Sequence, residues 1–161
     1  MARSTLTLTI AGEQASPTPY VDQVRHVAKS VNLAILPGLL DNQFNKLYVQ
    51  SATIASGANV DVNLSTALDR FGVALALSDV ALVWIENTSS VAAVLTVKAG
   101  AANGFTNLLA TSADVKLSAG DFLLVGALTA GNLAVTGTNA VLNLGATVAD
   151  VDVVVHVWGR G

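Results

Sequence analysis

The feature that most constrains this chain is a two-residue alternation of apolar and polar side chains that recurs from one end to the other. Val151, Val153, Val155 and Val157 alternate with Asp150, Asp152, Val154 and His156; Leu6, Leu8 and Ile10 alternate with Thr5, Thr7 and Thr9; Val60, Val62 and Leu64 alternate with Asp61 and Asn63. A period of two puts successive side chains on opposite faces of a pleated strand, so each of these segments reads as a half-buried strand. Two further runs, 79–87 (DVALVWIEN) and 121–127 (DFLLVGA), are continuously apolar between polar or glycine residues, which predicts strands covered on both faces at the centre of the fold. Segments 46–54, 91–98, 114–117, 132–135 and 140–144 complete the set. Strands at spacings of about 8 to 12 residues predict an all-β sandwich or barrel.

The connections have turn chemistry. Ser56-Gly57-Ala58-Asn59 and Ser118-Ala119-Gly120-Asp121 each place a glycine where a positive φ is needed, and both read as hairpin turns. In 100–106 (GAANGFT) Phe105 reads as an apolar plug, with Leu108 and Leu109 returning onto the core. The N-terminal quarter differs from the rest. It holds all three prolines (Pro17, Pro19, Pro37) and the basic cluster Arg25, His26 and Lys29. There, Val21, Val24, Ala28 and Val31 fit a helical face, while Val27, Val31, Leu33 and Ile35 fit a strand. The expected organisation is an N-terminal strand and extended arm over 1–45, followed by a β-sandwich domain over 46–161.

Composition narrows the function classes. Of 161 residues, 52% are apolar and only 12% charged: eight basic and eleven acidic residues, with a net charge of −3. An average soluble chain of this length carries about 25% charged residues, roughly 40. A folded monomer of this mass exposes on the order of 7,500 Å², so much of its surface must be uncharged. Such a surface is poorly defended against association, which predicts a homo-oligomer or a partner covering part of it. Mean hydropathy is +0.58, yet the longest apolar run, Val80 to Ile85, falls far short of the roughly 18 to 20 residues of a spanning helix, so no membrane partner is expected. The scattered basic residues form no stripe for phosphates, so neither is nucleic acid. Without cysteine there are no disulfides and no thiolate metal sites. The first residues, interrupted by threonine, do not read as a secretory signal. Asn63-Leu64-Ser65 and Asn87-Thr88-Ser89 match the glycosylation acceptor pattern as chance occurrences.

No catalytic, cofactor or metal constellation stands out. His156 and Asp152 share a strand face but are two face positions apart, and no serine sits in GxSxG. Two aspartates and one histidine make a poor metal-ligand set. The stretch 126–131 (GALTAG) lacks the lysine of a phosphate cradle. Trp84, inside an apolar run, reads as core; Trp158 reads as an edge or subunit contact.

The order of Lys46-Leu47-Tyr48, Ile54-Ala55-Ser56-Gly57-Ala58-Asn59, Phe71-Gly72, Ile85-Glu86-Asn87-Thr88-Ser89, Leu95-Thr96-Val97, Ala119-Gly120-Asp121-Phe122-Leu123-Leu124 and Asp150-Val151-Asp152-Val153-Val154-Val155 resembles small structural proteins of tailed bacteriophages, in particular capsid decoration (cement) proteins. The resemblance spans residues 45 to 161 and rests on aliphatic strands and Gly/Asn turns. It implies a jelly-roll-like β sandwich and a non-enzymatic role on the outer capsid surface of the virion, bridging subunits of the major capsid protein lattice. The other reading is a phage tail or fibre domain that binds a host-surface polymer. Tyr20, Arg25, His26, Lys29, Phe105 and Trp158 are the expected assembly contacts.

Overall fold

The computed structural model describes residues 4–14, 25–41, 43–90, 92–127 and 129–161. The chain divides into two compact units, Met1–Leu36 and Pro37–Gly161, so residues 37–45 belong with the second unit. The first contains β1 (Ser4–Gln14) and most of β2 (Arg25–Pro37), paired antiparallel in an unbroken register from Ser4 opposite Ile35 to Gln14 opposite Arg25. Of the two readings of this quarter, the strand holds over 25–37. The register sets Leu6 opposite Leu33 and Leu8 opposite Val31. The prolines Pro17 and Pro19 lie outside the described residues.

The second unit contains β3 (Gln43–Phe44), β4 (Lys46–Ile54), β5 (Asn59–Asn63), β6 (Asp79–Asn87), β7 (Val94–Ala99), β8 (Asp114–Ser118), β9 (Phe122–Gly126), β10 (Val141–Ala146) and β11 (Val151–Arg160). Eight of these strands make two four-stranded antiparallel sheets, ordered β5, β10, β7, β8 and β4, β11, β6, β9. The fold is all-β and sandwich-like, with no helix among the described residues. Pairing is nested: β4 with β11, β5 with β10, β6 with β9, and β7 with β8. The second half of the chain thus runs back along the first as a ribbon, and the ribbon is bent over to make the two sheets.

The bends explain where local turn reading fails. Segments 56–59 and 118–121 are tight turns, with Gly57 at φ 77 and Gly120 at φ 83, yet neither joins hairpin partners. Each carries the chain from one sheet to the other, and its backbone pairs with a second bend alongside. Gly57 N–H donates to Ala146 O at 2.8 Å, and Ala146 N–H donates to Ala58 O at 3.0 Å; Gly120 N–H donates to Asn87 O at 2.8 Å, and Asn87 N–H donates to Asp121 O at 3.0 Å. Turn chemistry dictates a reversal, whereas strand partners are chosen by which faces bury together. For the same reason β9, expected at the centre, is a half-exposed edge strand. Residues 132–135 make only a bridge, Ala134 to Asp79, instead of a strand.

Between the sheets lie Ile54, Val62, Leu64, Val83, Ile85, Leu95, Val97, Leu142, Leu144 and the β11 row Val151, Val153, Val155 and Val157, all at most 2% exposed. Phe105 is fully buried among them, its N–H bonded to Val141 O, and Leu108 and Leu109 pack against the same core. The plug reading of Phe105 therefore stands, and its side chain has no surface left to offer a neighbour.

Two buried polar groups tie the ends. Asn87, 0% exposed, donates through its amide to Ala93 O and Leu117 O, each at 3.0 Å, and accepts from Ser89 N–H at 3.2 Å. It is thus inaccessible as a glycan acceptor. At the other end Arg160 Nη1 pairs with Asp79 Oδ2, both side chains under 10% exposed. Asp79 also accepts from Gly131 N–H at 3.0 Å and Leu133 N–H at 3.2 Å, while Arg160 Nε donates to Leu40 O at 3.2 Å. One carboxylate and one guanidinium thereby join the start of β6, the end of β11, the 129–133 turn and the segment before β3.

Leaving buried carbonyls unpaired costs about 1–3 kcal/mol for each group, so Asn87→Leu is expected to lower unfolding free energy by about 2–4 kcal/mol in denaturant titration. Removing one member of a buried ion pair costs about 3–5 kcal/mol, whereas replacing both by apolar residues costs less. Asp79→Leu and Arg160→Met should therefore each destabilise more than the double variant; a double variant that loses the sum of both would refute this account. Burial raises the Tyr48 phenol above its ordinary 10.0. The folded state then favours the neutral ring, and this stabilisation is complete below pH 10 and lost as pH rises through the folded value. Urea midpoints measured upward from pH 9 should fall accordingly, and the fall should be absent in Tyr48→Phe.

Candidate interaction surface

The alternation that fills the core with one set of side chains directs the other set to the outer face of the sheet formed by β4, β11, β6 and β9. Register places them in rows across the strands: Leu47, Trp158 and Leu82; then Val49, His156, Trp84 and Leu124; then Ser51, Val154, Glu86 and Phe122; then Thr53 and Asp152. Eight of the eleven side chains in the first three rows are aliphatic, phenyl or indole, the others being His156, Ser51 and Glu86, and Leu82 is buried beneath its neighbours. Phe122 is 48%, Val49 41% and Leu47 38% exposed. The Trp84 and Phe122 rings stack at 4.7 Å between centroids and 6° between planes, and Trp84 Nε1 donates to Glu86 Oε2 at 3.2 Å. His156 stacks on Trp158 at 5.6 Å and 22°.

At the β4 margin this face meets the loop between β5 and β6. Asp69 Oδ1 accepts from Phe71 N–H at 2.8 Å and from Val73 N–H at 2.9 Å, shaping a turn whose Gly72 has φ 81. The turn lifts Phe71 to 82% and Val73 to 62% exposure, and the Arg70 guanidinium lies 5.8 Å from the Phe71 ring centre. Between loop and strand is a groove of about 650 Å³, lined by Leu47, Val49, Phe71 and Val73 among others.

The same face holds Asp152 and His156, the pair weighed above for a chemical role. Asp152 Oδ1 accepts from Thr53 Oγ1 at 2.6 Å, His156 is stacked on Trp158, and Val154 stands between the two on the strand face. Carboxylate and imidazole are thus separately engaged and form no dyad. Among the described residues no group of three or more His, Cys, Asp or Glu could hold a metal ion. In the glycine stretch 126–131, the Gly131 N–H is taken by the Asp79 carboxylate. No described helix is long and apolar enough to cross a membrane.

Of the six residues expected as contacts, the structure places Trp158, half-buried, on the outer face and withdraws Phe105 into the core. Arg25, His26 and Lys29 fall on β2 opposite Gln14, Glu13 and Ile10, and Tyr20 lies outside the described residues. Trp84, expected in the core, is instead partly exposed on the outer face. Sequence reasoning missed it along with Phe122, Leu47, Val49, Phe71 and Val73. A signal was present: Trp84 and Glu86 are two apart, so they share a strand face, and a carboxylate inside an apolar run marks the side that meets solvent.

No protein-family model matches this chain, and no curated protein does.

Stacked aromatic pairs contribute about 0.5–1.5 kcal/mol beyond the area they bury. A double-mutant cycle on Trp84→Ala and Phe122→Ala, read by chemical denaturation, should return a coupling of that size; zero coupling would remove the stack as an organising contact of the face.

Proposed function

We propose that this protein is a non-enzymatic structural protein of a bacteriophage virion, a decoration or cement protein on the outer capsid surface that bridges neighbouring subunits of the major capsid protein lattice. The observation that carries the reading is the outer face of the β4, β11, β6, β9 sheet: three rows of aliphatic and aromatic side chains whose only carboxylate is Glu86. Leu47, Val49 and Phe122 are its exposed large apolar side chains, and exposed apolar surface gathered on one face marks a contact with another protein. The nested pairing supports a jelly roll, because a bent-over antiparallel ribbon is how that fold is wound, and β1 with β2 forms the N-terminal extension. The mechanism is mechanical. A contact of about 800 Å² per partner is a standard specific interface, and repetition around a shell adds avidity without strong individual sites.

One observation favours a second reading, a phage tail or fibre domain that binds a host-surface polymer. Phe122, 48% exposed and stacked on Trp84, offers an accessible aromatic ring beside the Glu86 acceptor, a combination able to hold a sugar ring.

Mixing the purified protein with capsids that lack it and, separately, with host cell-surface glycans separates the two. Saturable binding to shells at a fixed copy ratio without glycan binding is expected; glycan binding without shell binding would establish the second reading. On shells, Val154→Lys, which puts a charge at the centre of the face, should weaken binding at least about tenfold, the equivalent of 1.4 kcal/mol. His156→Ala should leave binding within a few-fold, and its loss with fold intact would return attention to His156 as a functional group.

A further inference from the structure

From the groove beside β4 we infer that two copies of this chain associate face to face about a two-fold axis, each Phe71 seated over the partner's groove. The inference takes up the homo-oligomer expected from the low-charge surface and gives that oligomer an interface. It does not depend on what the assembled protein decorates.

A two-fold contact requires one patch that complements itself, because the same residues meet from both sides. This patch has both halves of such a contact. Phe71 stands 82% exposed on the rim, and the groove beside it, about 650 Å³, is floored by Leu47 and Val49. An aromatic side chain carries about 150–250 Å² of buriable surface, and the groove has room for one ring from a partner. The rim holds two cations, Lys46 and Arg70, and one carboxylate, Asp69, so each copy brings a net charge of only +1 and a carboxylate for the partner's cations to face.

The area is sufficient. Phe71 at 82%, Val73 at 62%, Val49 at 41% and Leu47 at 38% exposure, all lining the groove, together present roughly 350 Å² of apolar surface, within the few hundred Å² that mark an interaction site. That is somewhat under half of the approximately 800 Å² per partner of a standard interface, and the polar rim supplies the remainder. A partner protein of different shape would have to bring its own knob; a second copy brings one already positioned by the Asp69 turn.

The test uses the isolated full-length protein, with neither shells nor glycans present, so its outcome is independent of any virion partner. Sedimentation equilibrium should show a monomer–dimer equilibrium. Phe71→Asp should raise the dimer dissociation constant about 30-fold or more, as for a central aromatic anchor. Val148→Asp serves as the control, because Val148 is 76% exposed and does not line the groove; it should leave the constant unchanged. Both positions are exposed, and thermal unfolding of each variant checks that the fold is kept. A monomeric wild-type protein, a dimer indifferent to Phe71→Asp, or a dimer weakened equally by both variants would each overturn the inference.

Discussion

Everything in the sandwich is organised around burial of the β11 valine row. Val151, Val153, Val155 and Val157 are each at most 2% exposed, and β11 pairs along nearly its whole length with β4 on one side and β6 on the other. β11, the last of the described strands, is therefore an inner strand of its sheet, and β4 has no partner in that sheet until β11 joins it. Nesting lightens that requirement. Each inner pair, beginning with β7 and β8, shortens the effective loop that the next pair must close, and the closure entropy grows only slowly with what remains.

Hydrophobic burial alone does not decide where the ribbon bends, since aliphatic rows can slide past one another. The polar ties sit at the ends where that ambiguity would arise. Asn87 uses its amide and backbone to bind Ala93, Leu117, Ser89, Gly120 and Asp121 at one end, and the Asp79–Arg160 pair with its backbone partners fixes the other. Buried groups of this kind are costly if unpaired. A shifted register that separated them would lose several partners at once, which gives the native bend an advantage beyond its buried area.

The same alternation that makes the core makes the exterior. Once valine, isoleucine and leucine fill the inward positions, an apolar-rich chain still has Leu47, Val49, Trp84, Phe122, Val154 and Trp158 to place, and the period of two sends them to the outer face. The low charge of the chain shows there: the aromatic rows meet the adjoining groove at the β4 margin through Leu47 and Val49, with Glu86 the one carboxylate within the three rows. Structure and composition thus point the same way, to a protein whose chemistry is contact.

Much of the local structure was legible from residues near each other in the chain. Segments 46–54 and 79–87 are strands with the boundaries their pattern predicts, Val151, Val153, Val155 and Val157 of β11 point inward, and Phe105 is the plug its loop suggested, because alternation and terminating turns are local properties. Partner choice was not legible. The turns at Gly57 and Gly120 look like hairpins and cross between sheets, 121–127 looks central and is an edge, and Trp84 looks buried and is not. By itself the sequence determined that this chain forms strands, where most of them begin and end, and that its surface is short of charge. Only the tertiary structure decided which strands lie side by side and which outward residues gather into one face, because both depend on contacts between segments tens to a hundred residues apart, chosen by mutual burial instead of by any local preference.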